Sequence, residues 1–172
     1  DYKLSVNTIT DYSQPILFDG FMANRSKKKI WVMYAFKFEN ETGSYIVPGR
    51  CAELDHNYGL TAFDFRCQTV PNGTYKVYPI YRDMENGKWH YPSTNPKDGT
   101  PTIKVDVPVS YIYNAQDLVA YREQVDKGIN GCAIIMNDID MSEVCGQAKG
   151  NWTPIGSTAA PFKGRVIGNG HV

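Results

Sequence analysis

Hydrophobic and polar residues alternate along most of the first two thirds of the chain, and turn-forming residues separate the alternating runs. Alternation with a period of two predicts β-strands that bury one face. In residues 30–38 both sets of alternate positions are apolar, with Trp31 and Met33 on one side and Val32 and Tyr34 on the other, which predicts a central strand. The runs predicted as strands are 2–9, 15–18, 30–38, 45–47, 50–54, 60–69, 74–82, 88–91 and 102–109.

Turn signals stand between these runs at intervals of roughly ten residues. Pro71-Asn72-Gly73 and Asn86-Gly87 are strong turn sequences, and the second predicts a hairpin between the strands on either side of it. Pro48-Gly49 interrupts a run, as expected of an edge strand or a bulge. These short strands, with no helix among them, predict an immunoglobulin-like antiparallel β-sandwich over residues 1–109. The sequence lacks the Cys…Trp…Cys spacing of antibody domains, so the prediction concerns the architecture and not that family.

The pattern changes at Ser110, where a helical period replaces the alternation. Asn114 is suited to cap the first turn of a helix, and Asp117 stands at the third helical position, as in a capping box. The apolar residues that follow share one helical face, and Gly128 predicts where the helix ends. They are Leu118, Tyr121 and Val125. With a compact apolar strand predicted at 132–136, residues 110–172 are expected to form a second, separate domain.

Motif residues follow the predicted helix in a regular order. They are Asp138, Asp140, Trp152, Pro154, Gly156, Phe162, Gly164, Gly168, Asn169, Gly170 and His171. Over about residues 112–172 this order resembles the opening of a right-handed parallel β-helix of the GLUG-repeat type, in which a short helix precedes the first rung. The resemblance implies a partial β-helix in which these residues build turns and corners. Because a rung buries its faces against neighbouring rungs, the natural chain is expected to continue beyond Val172.

A second resemblance rests on the predicted hairpin, which reads Pro-Asn-Gly-Thr-Tyr-Lys-Val-Tyr-Pro-Ile-Tyr-Arg over 71–82 and Gly-Lys-Trp over 87–89. The hairpin is similar to those of β-sandwich modules attached to secreted proteins of Bacteroidetes-type bacteria. These include modules that follow the catalytic domain of streptopain-like cysteine peptidases. The resemblance implies a secreted or cell-surface accessory domain that has no catalytic activity of its own.

The composition argues against several classes of protein. The chain has 18 basic and 18 acidic residues, and this neutrality argues against a nucleic-acid partner because phosphate binding needs a basic excess. With 42% hydrophobic residues the chain can fill a core, so disorder is not expected. No run approaches the about 18 apolar residues of a membrane span. The first residue is Asp1 and not Met, so a mature or trimmed part of a longer chain is expected.

The four cysteines, Cys51, Cys67, Cys132 and Cys145, leave two interpretations open. Pairing as 51–67 and 132–145 would close two local loops, and such a bridge is typically worth about 2–4 kcal/mol in an oxidising compartment. Alternatively, all four are reduced and half-buried, where thiols behave as small apolar groups. Their spacing does not match a zinc site, and neither a metal nor another cofactor is expected.

Candidate catalytic and metal-binding residues are few. Cys51 and His56 are close in sequence, but the loop around His56 reads as a plain turn, and no peptidase signature occurs. Asp138, Asp140 and Glu143 suggest a calcium loop, but the spacing of an EF-hand is not met. The sequence therefore predicts a chain that is not an enzyme.

The predicted hairpin carries the candidate ligand-binding residues Tyr78, Tyr81, Trp89 and Tyr91. Aromatic platforms bind sugar rings, and Tyr and Trp also favour protein interfaces. The competing interpretation is core packing and cross-strand pairing, which stabilise hairpins. For the cationic run at 27–29, a solvated turn or protection of a sheet edge is favoured over a binding patch.

Together these patterns predict a non-catalytic, adhesin-like module of a secreted or cell-surface bacterial protein, with a host protein or a glycan as its partner. The strand pattern and the rung motif motivate this expectation. Two other functions are open: an accessory domain of a secreted cysteine peptidase, and a purely structural spacer.

Overall fold

The computed structural model describes residues 2–21, 24, 28–55, 60–91 and 99–172. Within these ranges the chain is mainly β, with twelve short strands, one α-helix and one turn of 3-10 helix. Its contacts divide it into two compact units. The first unit comprises residues 1–9 and 14–106, and the second comprises 10–13 and 107–172. The sequence pattern had placed residues 10–13 in the first domain.

The first unit contains two β-sheets. Its strands are β1 (Tyr2–Leu4), β2 (Thr8–Ile9), β3 (Ile16–Phe21), β4 (Ile30–Asn40), β5 (Gly43–Leu54), β6 (Leu60–Phe65), β7 (Gly73–Asp83), β8 (Trp89–His90) and β9 (Thr102–Val105). One sheet has the order β1-β3-β6, and the other has the order β2-β9-β7-β4-β5 with β8 beside β7. All of these pairings are antiparallel except that of β2 with β9. This arrangement is consistent with the predicted β-sandwich.

The core of the first unit is a cluster of aromatic rings contributed by both sheets. Phe36 on β4 stacks on Phe65 of β6 with ring centroids 3.7 Å apart and planes within 7°. Phe18 on β3 lies 5.3 Å from Phe36 and 5.6 Å from Phe63, measured between centroids. Phe18 and Phe36 are fully buried, and Phe63 and Phe65 nearly so. The packing of these rings holds the two sheets together, because buried aromatic rings contribute the largest apolar areas in a core.

The central position predicted for β4 is confirmed, since it pairs with β5 on one side and β7 on the other. The interruption predicted at Pro48-Gly49 is a shift of register in β5. A Cβ on Gly49 would lie 2.7 Å from the Phe63 ring and 3.1 Å from the Tyr34 carbonyl oxygen. Only glycine fits between β5 and the core at this bulge.

Several predicted strands are wrong in extent. The run predicted at 60–69 ends at Phe65, and the runs predicted at 45–47 and 50–54 form the single strand β5. Residues 2–9 form β1 and β2, which belong to different sheets, because the chain leaves one sheet and joins the other between Leu4 and Thr8. Residues 102–109 were predicted as one strand, but β9 ends at Val105. The next strand begins at Val109 and belongs to the second unit.

The second unit contains a three-stranded parallel sheet and a helix. Its elements are β10 (Val109–Ile112), α1 (Ala115–Asp126), β11 (Cys132–Ile135), the 3-10 turn (Met141–Glu143) and β12 (Arg165–Ile167). The sheet order is β10-β11-β12, with Val109, Cys132 and Arg165 side by side. Helix α1 buries Tyr121 and Val125 in a small core with residues of β10 and β11.

The predicted helix and its cap are confirmed. The Asn114 side chain accepts a hydrogen bond of 3.0 Å from the Asp117 backbone N–H. The Asp117 carboxylate in turn accepts one of 2.9 Å from the Tyr113 N–H, which satisfies a second free donor at the start of the helix. Gly128 follows the last turn with a φ of 85°, a left-handed conformation that favours glycine.

Candidate functional site

The candidate site lies on the side of the six-stranded sheet that faces away from the aromatic core. Residues directly opposite each other in an antiparallel pair project from the same side of the sheet. Lys37 on β4 is opposite Tyr78 on β7, and Arg82 on β7 is opposite Trp89 on β8. Phe36, next to Lys37, points into the core. Lys37, Tyr78, Arg82 and Trp89 therefore project from the outer side.

Two further aromatic residues occupy this side. Trp31 precedes Lys37 by six positions on β4 and is 54% exposed. Tyr91 follows β8 and is 58% exposed, and the Lys37 Nζ atom lies 5.9 Å from the centroid of its ring. We call the set formed by Trp31, Lys37, Tyr78, Trp89 and Tyr91 the outer aromatic face.

The outer aromatic face stands on a packed base. Ala35 and Ile80 are opposite each other at outward positions of β4 and β7, yet both are fully buried. Atoms on the outer side of the sheet therefore cover them. A covered base keeps the surrounding rings in defined positions, which favours binding by lowering the entropy lost on association.

The turn between β7 and β8 fixes the position of Trp89. The buried Asp83 carboxylate accepts hydrogen bonds from the Glu85 N–H at 2.8 Å and from the Asn86 side-chain amide at 2.9 Å. Gly87 has a φ of 72° and donates its N–H to the Asp83 carbonyl oxygen at 2.8 Å. The predicted hairpin is confirmed, and this network sets its register.

Most cations on the outer side have a carboxylate partner. Lys37 Nζ lies 2.6 Å from the Glu39 carboxylate, and this hydrogen bond is the main cause of a raised Lys37 pKa. The ammonium group therefore stays charged at neutral pH and is held against the Tyr91 ring. This is the geometry of a cation–π contact, which keeps the ring and the cation together.

Three of the four predicted ligand-binding residues meet on this face, and the fourth does not. Tyr78, Trp89 and Tyr91 share the outer side, whereas Tyr81 is opposite the buried Tyr34 on the core side. The Tyr81 ring stacks on His90, with centroids 4.6 Å apart and planes within 9°. The sequence interpretation missed Trp31, which it had assigned to a strand that is apolar on both faces. No local signal would have placed it outward, because both faces of that strand are apolar and the pairing of β4 with β7 brings it to this side.

The cysteines are free thiols. Cys51 is exposed on the outer side of β5, opposite Met33, whereas Cys67 is buried in the core, where desolvation raises its pKa to about 11. Cys132 is also buried, and desolvation is the main cause of its raised pKa. Cys145 is half-buried. The four thiols are therefore reduced, as in the second interpretation of the sequence, but only Cys145 is half-buried as that interpretation expected.

The candidate catalytic and metal residues are dispersed. His56 lies outside the described residues, as does Lys27 of the cationic run. In the ranges that the structure describes, no group of three or more His, Cys, Asp or Glu side chains could hold a metal ion. Asp140 instead caps the 3-10 turn by accepting a hydrogen bond of 2.9 Å from the Ser142 N–H. That bond is the main cause of a lowered Asp140 pKa.

Asp138 and His171 meet in the second unit. The Asp138 carboxylate accepts a hydrogen bond of 3.2 Å from the Val172 N–H and lies 3.1 Å from His171 Nδ1. The backbone bond is the larger cause, and His171 the smaller, of a lowered Asp138 pKa. The Val172 carbonyl oxygen accepts a bond of 2.8 Å from the Ile139 N–H, so these residues join two segments of the unit.

The other motif residues of the second unit also make structural contacts. The Arg122 guanidinium lies over the Trp152 ring at 5.3 Å, and the Phe162 ring packs edge-on against Tyr121 at 6.4 Å. A Cβ on Gly164 would lie 2.7 Å from the Tyr121 hydroxyl. The remaining members are the exposed Pro154, Gly156 with a φ of 84°, and a turn formed by Gly168, Asn169 and Gly170.

Comparisons with protein-family models and with curated protein sequences find no relative. No protein-family model matches the chain, and no curated protein sequence is significantly similar to it. In the described part of the chain, no helix has the length and apolar character needed to cross a membrane.

Proposed function

We propose that this chain is a non-catalytic, adhesin-like module of a secreted or cell-surface bacterial protein and that it binds a glycan through the outer aromatic face. The observation that carries the proposal is the exposure of Trp31 and Tyr91 on one flat side of a sheet, beside Tyr78 and Trp89. Grouping of exposed aromatic side chains into one patch favours an interaction site, whereas exposed rings that are scattered singly do not.

A glycan suits this face chemically. The apolar C–H faces of sugar rings stack on aromatic rings, while Tyr hydroxyls, indole N–H groups and the Lys37 ammonium can bond to hydroxyl groups at the ring edges. The face offers both kinds of group in alternation along and across the strands. A host-protein partner would need about 800 Å² of contact surface on each side, a wider area than these five side chains provide.

The same proposal includes a more specific fold for each of the two units. We assign the first unit to the immunoglobulin-like sandwiches, which its two packed sheets support. We assign the second unit to the start of a right-handed β-helix. Its three parallel strands, separated by α1 and by turn residues, support that assignment. Such an arrangement would suit a surface protein that presents its sandwich to a partner.

A glycan microarray carrying neutral and acidic oligosaccharides tests the function. The chain is expected to bind a restricted set of these glycans, and the Tyr91→Ala variant is expected to lose that binding. Tyr111→Ala is the matched control, because Tyr111 is 54% exposed but belongs to the second unit. No binding to any glycan, or equal binding by both variants, would overturn the proposal and favour a structural spacer or an accessory domain of a peptidase.

A further inference from the structure

We infer that the glycan bound by the outer aromatic face is acidic, and that Arg82 binds its anionic group beside Trp89. This inference rests on the proposed function. It concerns the charge of the sugar, which the aromatic rings by themselves do not select.

Some basic side chains on the outer side form ion pairs with carboxylates, and others do not. Three lysines each lie close to a carboxylate: two at outward strand positions, and Lys29 just before β4. The pairs are Lys29–Glu53 at 3.6 Å, Lys37–Glu39 at 2.6 Å and Lys104–Asp106 at 2.7 Å. Lys76 and Arg82, both exposed and both at outward positions of β7, form no ion pair with a described carboxylate, because Glu39, directly across from Lys76, pairs with Lys37. Among the described strand residues, the outward positions hold four basic side chains and two acidic ones, Glu39 and Glu53, and this excess of positive charge complements an anion.

The hairpin turn holds Arg82 in a suitable orientation. Its Nε donates a hydrogen bond of 3.1 Å to the Gly87 carbonyl oxygen. No described residue bonds to the two terminal nitrogens of the guanidinium group, and the side chain is exposed. A guanidinium group fixed at Nε presents a planar pair of donors that matches the two oxygens of a carboxylate, or two oxygens of a sulfate.

Trp89 stands directly across from Arg82 on the same side of the sheet. A sugar ring stacked on the Trp89 indole would bring a substituent of that ring within reach of the Arg82 terminal nitrogens. Lys76 lies further along β7 on the same side, two positions beyond Tyr78. A second acidic residue of an extended glycan could meet it there. The chemistry is therefore that of a polyanionic saccharide, either a uronate or a sulfated sugar.

The test measures affinities for three probes of equal length: an oligogalacturonate, the neutral galactose oligomer of the same linkage, and a sulfated galactose oligomer. Titration calorimetry on the whole chain is expected to show binding at least about tenfold tighter to one acidic probe than to the neutral probe, because hydrogen bonds to charged groups are strong. The better of the two acidic probes identifies the anion as carboxylate or sulfate.

Three variants complete the test. Arg82→Gln is expected to remove the preference for the acidic probe, and Arg82→Lys to retain part of it, because lysine keeps the charge without the planar pair of donors. Arg66→Gln is the control, since Arg66 is an exposed residue that follows β6 in the other sheet and pairs with Asp64. Equal affinity for acidic and neutral probes, or an unchanged preference in Arg82→Gln, overturns the inference but leaves the proposed function intact. If the chain binds none of the three probes and none of the arrayed glycans, both the inference and the proposed function are overturned.

Discussion

Phe36 and Trp31 lie on the same strand and project from opposite sides of it, so paired truncations compare the two sides of the sheet. Phe36 is fully buried and packs against three aromatic rings, including the one 3.7 Å away. Trp31 is 54% exposed. Replacing each by alanine removes a large ring from the same backbone element.

The structure sets different magnitudes for the two losses of stability. Phe36→Ala removes contacts on all sides and leaves a cavity between the sheets, which lowers the free energy of unfolding by about 3–5 kcal/mol. Trp31→Ala leaves no enclosed cavity, because solvent already reaches about half of the ring. At about 25 cal/mol per Å² for the covered part of a ring that buries at most about 250 Å², the upper bound is about 3 kcal/mol. Compactness of the unfolded chain reduces this, so a loss of about 1–2 kcal/mol is expected.

Urea unfolding followed by far-UV circular dichroism measures both variants without relying on tryptophan fluorescence. The midpoint should fall much further for Phe36→Ala than for Trp31→Ala, at an unchanged slope. An equal or larger loss in Trp31→Ala would show that Trp31 is a core residue. The side of the sheet that carries the outer aromatic face would then be buried and could not bind a ligand from solvent.

Four further outcomes follow from individual contacts. Gly49→Ala should lower the unfolding midpoint in urea, because its Cβ would lie 2.7 Å from a buried phenylalanine ring, and an unchanged midpoint would refute the bulge geometry. Tyr121→Phe should lower the free energy of unfolding by about 1–3 kcal/mol, because its buried hydroxyl donates to backbone carbonyl oxygens at 3.0 and 3.3 Å. Mass spectrometry after brief alkylation should find label on the exposed Cys51 and none on Cys67, whose buried thiol has a pKa of about 11, and the reverse order would contradict the placement of β5. The Asp138 pKa lies below its ordinary value of 3.8, so its stabilising contribution is present above that value and is lost as the pH falls through the folded pKa. An NMR titration of its carboxyl carbon should therefore give a midpoint below 3.8, and a midpoint at or above 3.8 would refute the hydrogen bonds that it accepts.

Features with a local cause could be predicted from the sequence. The cap of α1 depends on Asn114 and Asp117, which lie three residues apart. The bond from the Asp117 N–H to the Asn114 side chain forms as predicted, whereas the Asp117 carboxylate accepts from the Tyr113 N–H and not from the N–H of Asn114. The hairpin turn depends on Asn86-Gly87, where glycine supplies the positive φ that the turn requires. In both cases neighbouring residues determine the conformation.

Features that depend on distant parts of the chain could not be predicted. Residues 10–13 belong to the second unit because Asp11 accepts a hydrogen bond of 2.7 Å from the Asn130 N–H, across more than a hundred positions in sequence. Alternation showed that β4 is apolar on both sides, but only the position of the second sheet determines which side is the core.

The sequence predicted only part of the candidate site, because grouping by closeness in sequence does not give the side of the sheet on which a residue lies. Tyr78 and Tyr81 were grouped because they are close in sequence, but an odd number of positions separates them, so a strand places them on opposite sides. Trp89 and Tyr91 are two positions apart and remain together. Trp31 joins them only through the pairing of β4 with β7, which no local signal encodes.

The three tryptophans of the chain provide the most direct test of the central claim, because Trp31 and Trp89 belong to the outer aromatic face and Trp152 belongs to the second unit. Their indole N–H groups give three separate signals in a proton–nitrogen NMR spectrum. Titration with the acidic oligosaccharide that binds best is predicted to shift the signals of Trp31 and Trp89 and to leave that of Trp152 in place. A shift confined to Trp152, or binding that leaves all three signals unchanged, would contradict the account.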